Sequence, residues 1–244
     1  MDTPGYVILS RLGAQLRATQ VLAHNLANAE TPAFQAERPI FAQYLQPQRD
    51  TGAARVPTAF TVDRATWRDT TPGALTTTGN PLDVAIRGDG YFVIETQQGE
   101  RYTRAGRFTL GPDGRLTDME GNAVLDMRGT PLTFGPNDTR IEIQGDGTVR
   151  SENGVIGRLR VVRFEDQQRL RAEGNRLFAS DDPPTPVERP NLVQGAFEGS
   201  NVRPVLELTN LTSELREFQF AAQFAEREGE RLASAVERIL RRRT

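Results

Sequence analysis

The side chains of this chain that could do chemistry are few: one histidine, a set of aspartates at glycine-rich turns, and a run of arginines at the C-terminus. His24 is the only histidine. A metal site needs several ligands and a nucleophilic triad needs partners, so His24, beside Ala23 on a helical pattern, reads as structural. There is no cysteine, which excludes disulfides, thiolate catalysis and cysteine zinc sites. Gly88-Asp89-Gly90 begins like a dinucleotide loop but lacks the third glycine, and a strand follows where a helix is needed. Asp83, Asp89, Asp113, Asp118, Asp126 and Asp146 all lie near turns. A glycosidase needs two carboxylates at a set separation with one pKa raised, and a calcium loop needs a fixed ligand spacing that this chain does not have. Turn chemistry accounts for these aspartates without catalysis. Arg238, Arg241, Arg242 and Arg243 complement the negative end of a helix dipole. The net charge of −2 gives no general attraction to nucleic acid. No catalytic residue, cofactor or metal is expected.

The elements that carry these residues fall into a pattern. Leu9, Leu12, Leu16, Thr19, Ala23 and Leu26 recur at alternating spacings of three and four. This predicts a helix from about Pro4 to Asn28, stopped by Thr31-Pro32. Leu208, Leu211, Leu215, Phe218, Ala222, Ala225, Gly229, Leu232, Val236 and Ile239 repeat the same alternation. They predict a helix from about Pro204 to Arg242, about 58 Å long at about 1.5 Å per residue. Stripes this narrow need a partner helix, and the two are expected to pair as a coiled coil. Residues 37–80, rich in Gln, Thr, Pro and Gly, read as an extended, irregular arm. From 81 to 180, Asp89-Gly90, Asp113-Gly114, Asp146-Gly147 and Asn153-Gly154 separate short alternating segments, the signature of antiparallel hairpins. Asp181 to Asn191, with Asp-Asp-Pro-Pro-Thr-Pro, reads as a stiff linker. The expected organisation is an N-terminal helix (1–36), an arm (37–80), an antiparallel β-domain (81–180), a linker (181–200) and a C-terminal helix (201–244). The fold class is mainly β with long terminal α-helices. All 30 basic residues are arginine. No run of about 18 apolar residues exists, so no membrane insertion is expected. Met1-Asp2-Thr3-Pro4 lacks the basic and apolar regions of a cleaved secretory signal.

Four segments resemble the flagellar basal-body rod and hook protein family. They are Asn25-Leu26-Ala27-Asn28-Ala29-Glu30-Thr31-Pro32-Ala33-Phe34, Pro81 to Phe92 with Asp83, Gly88 and Gly90, Tyr102 to Phe108, and Gly199-Ser200-Asn201-Val202 ahead of the long helix. Ala33 stands where the family pattern usually has glycine. The resemblance implies a structural subunit of the rod, of the proximal class, with the distal class as the alternative. It implies own copies and the other proximal and distal rod subunits as partners, and export without a cleavable signal through the flagellar export apparatus. It places the protein in the periplasmic rod of the flagellum basal body. The assembly interface is expected on Leu9, Leu12, Leu16, Leu26, Leu208, Leu211, Leu215, Phe218, Leu232 and Val236. A reading from another class is a carbohydrate-binding or processing β-domain with helical arms, which would need aromatic platforms; the one tryptophan is Trp67, in the arm. A soluble coiled-coil adaptor is a third.

Overall fold

The computed structural model describes residues 3–46, 58–174 and 176–241. They form two compact units. The first joins both chain ends: helix α1 (Thr3–Ala27), strands β1 (Glu37–Gln46) and β2 (Thr58–Arg68), and helix α2 (Pro204–Arg241). The second holds residues Asn28–Ala36 and Asp69–Val202 and is built of short antiparallel strands.

In the first unit α1 packs on α2 and on the β1–β2 hairpin. Arg11 and Gln15 reach Glu217 while Asn25 reaches Glu207, so the two helices run antiparallel. The buried face of α1 is Ala14, Gln15, Ala18, Val21, Leu22 and Asn25. This corrects the expectation that the leucine stripes of the two helices cover one another. Leu9 and Leu16 are 66% and 53% exposed, and Leu208 and Leu215 are 54% and 45% exposed. The face carrying Ala14 and Ala18 lets the helix approach its neighbours more closely than a leucine face would, and it turns Leu9 and Leu16 outward.

The arm is not irregular at 37–46 and 58–68. β1 and β2 pair antiparallel from Glu37↔Arg68 to Gln46↔Thr58, with a bulge between Ile40 and Phe41. Phe41, Tyr44, Phe60, Thr61, Val62, Thr66 and Trp67 supply β-branched and aromatic side chains that favour strands. The Gln- and Thr-rich composition hides the alternation, and only the cross-strand partner sets the register.

In the second unit the largest sheet runs, edge to edge, Arg171–Ala172, Phe178–Ala179, Gly99–Thr103, Tyr91–Thr96, Ala123–Val124, Leu116–Thr117 and Thr109–Leu110. Alternation sends successive side chains of Tyr91–Thr96 to opposite faces. Phe92 joins a cluster with Val84, Phe108, Leu116, Val149 and Leu159, while Tyr91 and Val93 join another with Tyr102, Phe164 and Phe178. The strand is buried on both sides, and its residues Tyr91 to Ile94 are fully inaccessible. Three of the expected hairpin turns form, at Asp113-Gly114, Asp146-Gly147 and Asn153-Gly154; Asp113 accepts from Arg115 N at 3.2 Å and Asp146 from Thr148 N at 3.0 Å. Asp89-Gly90 does not join a hairpin, because Val84–Ile86 pairs with Leu192–Gln194 and Tyr91–Thr96 pairs with other strands.

The segment expected as a linker is also strand. Thr185–Pro186 pairs with Val161–Arg163, Leu192–Gln194 with Val84–Ile86, and Ala196–Glu198 with Leu75–Thr77. Proline is tolerated because Thr185–Pro186 is an edge strand, where a missing N–H breaks no ladder on its free side.

Candidate assembly surface

The chain passes from one unit to the other at residues 27/28, 36/37, 68/69 and 202/203; of the four family-like segments, the first spans 27/28 and the last ends at 202/203, while the other two lie within the β-unit. On the helical side Asn25, fully buried, donates from Nδ2 to Glu37 O and accepts from Glu37 N, both at 2.8 Å. Its Nδ2 lies 3.5 Å from Glu207 Oε2. Glu207 is itself fully buried and pairs with Arg38 at 2.7 Å. A buried carboxylate is tolerated only with such partners. The end of α1, the start of β1 and the start of α2 are thereby fixed to one another.

On the β side Asn201 does the equivalent work. Its Oδ1 accepts from Ala36 N at 2.7 Å, its Nδ2 donates to Asp69 O and Thr71 O at 2.8 and 2.9 Å, and its own N–H donates to Phe34 O at 3.2 Å. Ala33 sits in the left-handed region with φ of 58°, and its N–H donates to Glu198 O at 2.8 Å. The conformation that the usual glycine would adopt freely is held here by an alanine. Thr31 Oγ1 meets Asn28 Oδ1 at 3.2 Å as the chain turns at Pro32. Ser200 Oγ accepts from Val202 N at 3.2 Å, just ahead of α2.

Within the β-unit lies an ion pair that sequence reading missed. Arg104 and Glu198, each with 2% side-chain exposure, meet at 2.7 Å. Arg104 also donates to Gly90 O at 2.9 Å and Gly88 O at 3.0 Å, and Glu198 Oε1 accepts from Gly73 N at 3.0 Å. Gly88 and Gly90 have φ of 112° and 154°, which aims both carbonyls at the guanidinium. Asp83 is held by Thr78 Oγ1 at 2.6 Å and by Asn80 Nδ2 at 3.1 Å. A period-based reading finds stripes. It does not find a charged pair separated by nearly a hundred residues, and the only signal was the position of Arg104 inside a family-like segment.

The outer faces of the helical unit carry large apolar side chains. On α1, Tyr6, Leu9 and Leu16 are exposed; Leu12 and Leu26 are half-buried. On α2, Leu208 and Leu215 are exposed, and Leu211 and Phe218 are half-buried. The side chains of Leu232 and Val236 lie outside the described residues. Sequence reading also passed over Phe220 and Phe224, which are 71% and 58% exposed. Their i,i+4 spacing marks a second stripe that the longer leucine pattern masks. Burial, and then the Glu217 carboxylate nearby, raise the Glu214 carboxyl above its ordinary value against the pull of Arg11. Among the described residues no group of three or more His, Cys, Asp or Glu is placed to hold a metal ion. No described helix is long and apolar enough to cross a membrane.

Comparison with known proteins places this architecture. Residues 85–151 match the flagellar hook protein FlgE/F/G D1 domain, and residues 193–238 match the flagellar basal body rod FlgEFG protein C-terminal region. The chain is 35% identical over 241 residues to the flagellar basal-body rod protein FlgF of Caulobacter vibrioides, with 98% of each chain covered. It is 34% identical to the FlgF of Mesorhizobium japonicum over 89% of each chain. It is 32% identical to the rod protein FlgG of Agrobacterium fabrum over 85% of this chain and 88% of that one. With nearly its whole length aligned, the chain belongs to the flagellar basal-body rod protein family and is FlgF-like within it.

Proposed function

We propose that this protein is a structural subunit of the proximal rod of the bacterial flagellum, and that it joins the axial assembly through the outer faces of α1 and α2. The observation that carries this is the set of large apolar side chains, Leu9, Leu16, Leu208 and Leu215, left exposed by a unit that buries alanines instead. Exposed leucines in register along a helix mark an interaction surface, and relatives named as rod proteins give that surface its partners: own copies and the other proximal and distal rod subunits. The two terminal helices together then form a coiled-coil layer of the rod. The basal body is the site of action. Export through the flagellar apparatus is part of this reading.

The test is a pair of equivalent substitutions. Leu16→Asp buries an unpaired charge on assembly and should abolish rods and swimming while leaving the purified chain folded by circular dichroism. Val155→Asp changes a side chain 65% exposed in the β-unit and should swim normally. Normal rods in the Leu16→Asp strain, or equal loss in both strains, would remove the helices from the assembly role.

A further inference from the structure

Helix α2 has three faces of different chemistry. At about 100° per residue, Glu207, Leu211, Phe218, Ala222 and Ala225 share the side turned into the helical unit, and all five are buried or half-buried. About 85° round the helix lie Leu208 and Leu215, continued by Glu226, Glu230 and Glu237. About 120° further round in the same direction lie Phe220 and Phe224, flanked by Arg227, Arg231 and Arg238. Every residue on these two flanks is exposed. One flank is therefore aliphatic and acidic, the other aromatic and basic.

We propose that the aromatic, basic flank of α2 docks on the aliphatic, acidic flank of α2 in a second copy of this chain, with the two helices parallel and level. This rests on the reading that the helices build the assembly. Charge complementarity selects the occupant. α1 has no acidic side chain between Thr3 and Ala27, so a neighbour's α1 offers the arginines nothing. The acidic flank of α2 offers Glu226 beside Arg227, Glu230 beside Arg231 and Glu237 beside Arg238, each displaced by one residue, about 1.5 Å along the axis. A two-fold contact would set arginine on arginine. The heterologous contact sets each flank on its opposite and leaves one flank of each kind free on the pair, so it repeats without closing at two. The third face remains with the chain's own α1.

The experiment exchanges the charges in the full-length protein in cells. Arg227→Glu alone and Glu226→Arg alone should each lower the number of assembled rods by about tenfold, because like charges then meet at every copy-to-copy contact. The double variant, which restores the opposite pairing, should assemble as the parent does. Singles that assemble normally, or a double variant no better than the singles, would overturn the pairing. If Leu16→Asp blocks assembly while these exchanges have no effect, the flank pairing alone fails. If neither has an effect, assembly through the helices fails with it. A second measurement uses the absence of native cysteine. Glu226→Cys with Arg227→Cys in one chain should oxidise to a ladder extending beyond two copies. Bands stopping at the dimer, or links only to a different basal-body protein, would also sink the proposal.

Discussion

Phe92 and Phe224 are the same side chain in opposite circumstances. Phe92 lies on a strand of the β-unit with no exposure and its ring edge-on to Phe108 at 5.1 Å; Phe224 lies on α2 and is 58% exposed. The contrast extends to whole units. The β-unit gathers its buried apolar side chains into two clusters and pairs its buried Arg104 and Glu198 internally. The helical unit closes only the face lined by alanines and by the Asn25–Glu207–Arg38 knot, and turns leucines and phenylalanines to solvent. A domain that has finished burying its surface can stand alone, whereas one that has not carries an unspent hydrophobic driving force of about 25 cal/mol per Å². That driving force is available for association.

The largest expected effect tests the closed side of this contrast. Arg104→Ala leaves Glu198 buried without its cation and two carbonyls without a donor, so it should destabilise the β-unit by about 3–5 kcal/mol in chemical denaturation. An unchanged midpoint would mean that the pair is dispensable. Next comes the phenylalanine comparison itself. Phe92→Ala should cost about 3–5 kcal/mol of stability in the isolated chain. Phe224→Ala should stay within about 0.5 kcal/mol there and should act only on rod assembly. Equal losses in the isolated chain would erase the distinction between the units.

A smaller effect is expected at Ala33. Glycine there relieves a left-handed alanine, a cost of about 1–2 kcal/mol, but removes a buried methyl group worth about 0.8 kcal/mol. Ala33→Gly should therefore be neutral to slightly stabilising by thermal melting. A clear loss would show that the methyl group's packing dominates. The smallest effect concerns acid. Hydrogen bonds from the Thr139 hydroxyl and main chain, joined by Arg140 N, hold the Glu152 carboxyl down to about 2. A depressed folded pKa means that its contribution is complete above the ordinary carboxylate range and is lost as pH falls toward about 2. Glu152→Gln should flatten that part of the acid limb for the β-unit. NMR titration of Glu152 near the ordinary glutamate value would contradict it.

Much of this molecule was legible in its sequence. The three-four spacing of leucines marks both terminal helices, because a helix can place such residues on one side only. The Asp-Gly and Asn-Gly pairs at 113–114, 146–147 and 153–154 mark hairpins, because few other residues adopt the required backbone, whereas Asp89-Gly90 links two strands that pair elsewhere. The turn aspartates and the lone histidine gave no reason to expect catalysis. The β1–β2 hairpin and the strand at Thr185–Pro186 were not legible, since each is defined by a distant partner and neither has a composition that announces it. The direction of the helix faces was not legible either. Periodicity says that Leu9, Leu12 and Leu16 share a side, but not which side of α1 the chain covers. That was decided by tertiary contacts: Ala14, Ala18 and Val21 are buried within the unit, while Asn25 and Glu207 lock the helix ends. Local sequence sets which residues travel together. Only the packed chain sets which of those groups is satisfied internally and which is left for a neighbour.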